Sequence, residues 1–333
     1  MNDKSWNEPQ QNDLPQPPPG GSGKEWQLIE KLLLSANKEQ VRARRWGIAF
    51  KLLTFLYLFA LLLMLSPALQ NDGIPHAGGE HTALVDVQGI IAEGELAGAD
   101  NIVKGLRNAF ADHNTKGVIL RINSPGGAPV QAGYVYDEIK RLRGLHPKIK
   151  LYAVISDLGA SGGYYIAAAA DEIYADKASL VGSIGVISAS FGFTGAMERL
   201  GIERRVFTAG ESKAFLDPFS PMKEQDTEFW KGVLNITHQQ FIDRVKAGRG
   251  DRLGDDPKLF SGLIWSGEQA LQLGLVDGLA SPGYVAREII GAENIVDFTP
   301  KLSPFEQFAD RLGVSMGKSL ASYFGTNHQV DYR

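Results

Sequence analysis

An α/β domain with a largely parallel sheet, preceded by a single membrane-spanning helix, is the fold class predicted by this 333-residue sequence. Three features predict it. Strand-like apolar runs alternate with segments of helical period, glycine turns follow directly on the strand-like runs, and a long apolar stretch stands ahead of both.

The chain opens with the Pro/Gly/Gln-rich stretch "NEPQQNDLPQPPPGGSGK", whose composition predicts disorder. "GGSGKE" lacks the Ser or Thr that a phosphate loop needs after its Lys and follows no strand, so it reads as linker. "EWQLIEKLLLSANKEQVRARRW" predicts a short helix through Leu28, Ile29, Leu32 and Leu33. Residues 46–69, "WGIAFKLLTFLYLFALLLMLSPAL", carry one charge, Lys51, near an end, and match a bilayer core of about 30 Å. Arg42, Arg44 and Arg45 crowd the N-terminal side, so the positive-inside rule places residues 1–45 in the cytoplasm and residues 70–333 outside it. About 45 residues before the apolar run is long for a cleaved leader, and a retained signal anchor is expected.

Beyond the anchor, "TALVDVQGII" (82–91), "KGVILRIN" (116–123) and "IKLYAVIS" (149–156) read as strands. Between them, "NIVKGLRNAFAD" and "QAGYVYDEIKRLRGL" have helical spacing, and "YYIAAAA" begins a helix after the third strand. "VGSIGVISA" and "RRVFTAGESK" read as further strands, and residues 220–250 as one long helix opened by Ser220 or Pro221. "SGEQALQLGLVDGL" predicts a capping box between Ser266 and Gln269, with Gly274 ending that helix. Phe305, Phe308, Leu312, Met316, Leu320 and Tyr323 predict a C-terminal amphipathic helix.

Composition removes several function classes. A net charge of -4 gives no footprint for nucleic acid. The absence of cysteine excludes thiol nucleophiles and thiolate metal sites, and the six histidines show no ligand spacing, so neither metal nor cofactor is expected.

The chemistry concentrates at the glycine turns. Ser161, in "SDLGASGGYYIA", follows a strand and precedes a helix, where its hydroxyl meets exposed amides; taken alone, it also reads as an ordinary N-cap. No histidine stands where a Ser-His-Asp set would need it. A lysine serves as general base where burial disfavours its charged form, and Lys213, among Phe207, Phe215, Leu216 and Phe219, is a candidate beside Lys177 and Lys223. "NSPGG" offers the amides of Gly126 and Gly127 to an oxyanion, and is also ordinary turn chemistry.

"LRINSPGG", "SDLGASGGYYIA", "LVGSIGVI", "FTAGESK" and "WSGEQALQLGLVDGL" stand in the order and spacing of the signal peptide peptidase A (SppA/SohB-type) family, which the chain resembles over about residues 80–290. The resemblance implies a Clp protease/crotonase-type fold and a Ser/Lys dyad, with Ser161 as nucleophile and Lys213 as base. It further implies Ser183 as the hydroxyl that positions the lysine, and Gly126, Gly127 and Gly162 as the oxyanion turn. It implies homo-oligomers in which serine and lysine can come from neighbouring subunits, and peptide substrates such as cleaved signal peptides. The same superfold also serves acyl-CoA hydratases and isomerases, and a non-catalytic membrane scaffold would keep it too. The signal anchor argues against the first, the presence of Ser161 and Lys213 against the second.

Overall fold

The computed structural model describes residues 23–65 and 79–301, in two compact units. The expected disordered start, the end of the expected anchor (66–69) and the expected C-terminal helix lie outside the described residues.

In the first unit, α1 (Gly23–Leu65) is one continuous helix. The sequence predicts a short helix and then a separate span; the structure joins them, since no glycine pair or proline interrupts residues 24–65. Its 43 residues reach roughly 65 Å at 1.5 Å per residue, about twice a bilayer core. Residues 27–62 are long and apolar enough to cross a membrane.

The second unit is an α/β body. In chain order it comprises β1 (His81–Gln88), α2 (Ala99–Ala111), β2 (Thr115–Ser124), α3 (Pro129–Leu145), β3 (Lys150–Ala160), α4 (Gly162–Ala167), β4 (Glu172–Ala175) and β5 (Leu180–Gly182). Then follow α5 (Thr194–Leu200), α6 (Glu224–Arg249), β6 (Ile264–Ser266), α7 (Gly267–Gln272), β7 (Gly278–Leu279), α8 (Pro282–Tyr284), a π-turn (Val285–Ile290) and β8 (Ile295–Asp297). The strands form one sheet in the order β6-β5-β3-β2-β1-β8, and β4 joins β3 to β7. Every pairing is parallel except β5 with β6.

β3 forks the sheet. Its first half, Tyr152–Ile155, pairs with β4, and its last three residues, Leu158–Ala160, pair with β5. The larger core lies where Ile102, Leu106 and Phe110 of α2 and Val135, Ile139 and Leu142 of α3 meet inward residues of β1–β3. Leu84, Ile119, Tyr152 and Val154 form the opposite face beneath Val285 and Ala286. Burial on both faces accounts for the unbroken apolar runs of the central strands.

The predicted capping box at Ser266 and Gln269 is present, and Gly274 turns left-handed just past α7. Two expected strands are corrected. Of "VGSIGVISA" only Val181 and Gly182 belong to a strand, and "RRVFTAGESK" forms none. Ile187, at 88% exposure, and Phe207, at 93%, have β propensity but no ladder to join, because antiparallel β6 already takes the edge beside β5. The long helix starts after Lys223, and Ser220 binds Asp217 instead of capping it.

A buried ion pair closes the lower body. The Arg249 side chain is 1% exposed; its Nε donates to the Gly274 carbonyl and both Nη atoms donate to Asp277, at 2.6 and 3.0 Å. Asp277 also accepts from the Ile173 amide at 2.7 Å, which joins the end of α6 to β4. Removing one partner strands the other, so Asp277→Ala is expected to cost about 3–5 kcal/mol in urea denaturation. Beside α2, side-chain hydrogen bonds from Arg141 and Arg107 lower the Glu138 carboxyl from 4.5 to about 2. A carboxyl lowered in the folded state adds stability that is complete above its unfolded value and disappears as pH falls toward the folded one. Thermal melts should therefore lose stability between about pH 4.5 and pH 2, and Glu138→Gln should shrink that loss.

Candidate active site

Ser161 stands between the last residue of β3 and the first of α4. Its backbone is left-handed, with φ 52° and ψ -121°, a region that L-residues hold at a cost of about 1–3 kcal/mol. Three contacts impose that conformation. Ala160 is in register with Gly182, the Ser161 amide donates to the Gly182 carbonyl at 2.8 Å, and the Ser161 carbonyl accepts from the Tyr165 amide at 2.9 Å. The chain thus turns sharply from strand into helix with the half-buried serine at the bend.

The Gly126–Gly127 turn lies against that bend. A Cβ on Gly126 would come within 2.6 Å of the Gly162 nitrogen and 2.7 Å of the Ser161 Cβ, and one on Gly127 would strike the Ile91 carbonyl oxygen at 2.1 Å. Side chains are excluded by position as well as by φ. Ile91 fixes the turn twice: its amide donates to the Gly126 carbonyl at 2.9 Å, and its carbonyl accepts from the Ala128 amide at 2.8 Å. Of the three glycines expected to donate, Gly126 is buried and its amide is taken by the Ser124 hydroxyl at 3.1 Å. The amides of Gly127 and Gly162 have no acceptor among the described residues.

Ser183 follows β5 directly, one register step from Gly182, and is also left-handed at φ 51°. Its amide donates to the Leu263 carbonyl at 2.7 Å. The structure thus brings Ser161, Ser183, Gly126, Gly127 and Gly162 to the adjoining ends of β2, β3 and β5. Among the described residues no hydrogen bond joins Lys213 to any of them. It is exposed in the turn Gly210–Leu216, and among the described residues no hydrogen bond or ion pair engages its ammonium group.

That turn has its own scaffold. Asp217 accepts from Arg204 Nε at 2.8 Å and from the Ser220 hydroxyl at 2.7 Å, while Phe219 stacks on Phe193 at 5.3 Å. Phe215 packs edge-on against Trp230 of α6. Two contributors escape sequence reasoning. Ser124 has the look of ordinary turn chemistry, and His238 of α6 shows nothing in sequence of its 3.1 Å contact with the Ile184 carbonyl beside Ser183. Among the described residues no cluster of three metal-ligating side chains occurs.

Strain at Ser161 has a measurable consequence. Ser161→Gly should raise the unfolding free energy by about 1 kcal/mol, because glycine adopts this conformation freely. A loss of stability in chemical denaturation would contradict the strain.

Against known proteins, residues 144–292 match the family model described as Peptidase family S49. A Methanocaldococcus jannaschii protein provisionally named a protease is 31% identical over 240 residues, 68% of this chain and 76% of its own. The chloroplastic serine protease SPPA of Arabidopsis thaliana is 31% identical over 182 residues, 54% of this chain and 26% of its own. A Brucella melitensis protein named Na(+)/H(+) antiporter NhaA is 53% identical over 174 residues, 52% of this chain but 24% of its own, so the chain spans about a quarter of that relative. The serine bend, the glycine turn beside it and these similarities lead to one assignment: the chain belongs to peptidase family S49, that of the SppA-type serine peptidases.

Proposed function

We propose that this serine peptidase works through a Ser161/Lys213 dyad, hydrolysing peptide bonds in hydrophobic segments such as cleaved signal peptides. The observation that carries the reading is the strained Ser161 bend facing two amides without acceptors, those of Gly127 and Gly162. Lys213, as general base, takes the proton of the Ser161 hydroxyl as its oxygen attacks the substrate carbonyl carbon. The two amides hold the resulting oxyanion; the protonated lysine then gives its proton to the leaving nitrogen as the C–N bond breaks. Water, deprotonated by the same lysine, attacks the acyl ester and frees Ser161. Ser183 orients the lysine from the neighbouring strand end.

A Clp protease/crotonase-type fold is the finer class that the forked parallel sheet supports. The lysine comes from a second copy of the chain. Among the described residues no hydrogen bond joins Lys213 to Ser161, and residues 187–207 ahead of its turn expose Ile187, Phe191, Leu200 and Phe207, an apolar surface that suits another protomer. On this reading α1 anchors the protein in the cytoplasmic membrane as a single pass, with residues 1–45 cytoplasmic and the catalytic body outside, periplasmic in a Gram-negative cell.

The full chain in detergent, incubated with a signal-peptide-like peptide and with unfolded casein, should yield fragments by mass spectrometry. Ser161→Ala and Lys213→Ala should each reduce cleavage on the order of a thousand-fold or more. Co-assembled mixtures of the two variants should regain activity, because some sites then carry an intact serine and an intact lysine. Cleavage that persists in Ser161→Ala would overturn the nucleophile, and failure to complement despite proven co-assembly would overturn the shared dyad.

A further inference from the structure

We infer that Ser124 is a positioning residue for the oxyanion donors, acting through the Gly126–Gly127 turn; this rests on the reading of Ser161 and Gly127 above. Ser124 closes β2, is 0% exposed and does not face solvent, so it cannot meet substrate. Its hydroxyl makes two hydrogen bonds: it donates to the Gly89 carbonyl at 2.6 Å and accepts from the Gly126 amide at 3.1 Å. One buried oxygen therefore ties the segment leaving β1 to the turn leaving β2.

The geometry of a trans peptide gives this tie its chemical consequence. The Gly126 carbonyl and the Gly127 N–H belong to one planar unit and point in opposite directions. The Ile91 amide holds that carbonyl, so the Gly127 N–H faces away from Ile91. Gly162 lies close to it: a Cβ there would stand 3.2 Å from the Gly127 nitrogen. The orientation is secure only while residues 89–91 and 126 keep their separation. Ser124 sets that separation, bonding Gly89 on one side and Gly126 on the other. Gly126 and Gly127 have no side chains to hold them, and Gly126 is left-handed at φ 95°. Without the hydroxyl, the Gly126 amide becomes a competing donor and only the Ile91 hydrogen bonds hold the plane.

Loss of a whole oxyanion donor costs on the order of 100-fold to 1000-fold in rate. Ser124→Ala misdirects a donor without removing it, so kcat should fall by about 10-fold to 100-fold with KM little changed. Affinity for a peptide aldehyde, whose adduct with serine presents an oxygen to the same amides, should fall in parallel. Thr82→Val is the control. Thr82 is equally buried and its hydroxyl donates to the Ala292 carbonyl at 2.7 Å, far along β1 from the site. It should lower the melting temperature and leave kcat and aldehyde affinity unchanged.

Ser124→Thr restores the hydroxyl. Recovery of kcat in that variant, if it folds, adds support, and the comparison of Ser124→Ala with Thr82→Val decides without it. The inference is overturned if Ser124→Ala loses stability as Thr82→Val does while keeping wild-type kcat, or if its whole defect lies in KM. Ser161→Ala, assayed alongside, separates the two readings: activity surviving there would remove the nucleophile, whereas an inactive Ser161→Ala beside a fully active Ser124→Ala would remove only the role of Ser124.

Discussion

The close approach of the Gly126–Gly127 turn to the Ser161–Gly162 bend is the constraint on which the site depends. A Cβ on Gly126 would fall less than 3 Å from three atoms of Ala160, Ser161 and Gly162, so the two backbones touch with no side chain between them. Such contact requires β2 and β3 to end together, and they do: Ser124 of β2 is in register with Gly159 of β3 across a bulge. The bulge lets β2 arrive at the bend while its last residue still pairs. Sheet register, rather than any single hydrogen bond, thus brings the Gly127 and Gly162 amides beside one serine.

Strain is distributed in a way that follows from the same edge. Ser161 and Ser183, two of three non-glycine residues with left-handed φ among the described residues, follow paired strand ends. Each is held by an amide hydrogen bond to a neighbouring strand segment, to Gly182 and to Leu263. The third, Leu216, lies in the turn that carries Lys213. Conformations that a short peptide would abandon persist here because a cooperative sheet and a tethered turn over-determine them.

The legible part of this molecule is the part whose residues meet their neighbours at fixed periods. The strands of β1, β2 and β3, the helices α2 and α3 and the Ser266 capping box follow from apolar spacing and local capping chemistry. The stretch 204–213 does not follow, because "RRVFTAGESK" has strand composition while nothing in a single sequence records that no partner strand is available. Short strands such as β7 and β8 are equally silent: two or three residues carry no period, and Ile295–Asp297 is a strand only because β1 offers an edge. Ser161 and Lys213 emerge from ordered motifs, not from local pattern. By pattern Ser161 is a helix cap, and Lys213 is one lysine among several. Ser124 is hidden for the opposite reason, since its turn chemistry is so common that only the two hydrogen bonds of its buried hydroxyl distinguish it.

Ser161 and Lys213 belong to parts of different mechanical character. The bend is built into the sheet edge, whereas the Lys213 turn hangs on a small assembly of its own, the Arg204–Asp217–Ser220 link and the Phe193–Phe219 stack. Phe215 of the turn packs on Trp230 of α6, and Ile187, Phe191 and Phe207 nearby in the chain face solvent. Exposed aromatics of this size are costly in water unless another surface covers them. If the lysine of one copy serves the serine of the next, the same burial that drives assembly also completes the dyad. On the proposed reading, hydrolysis waits on association.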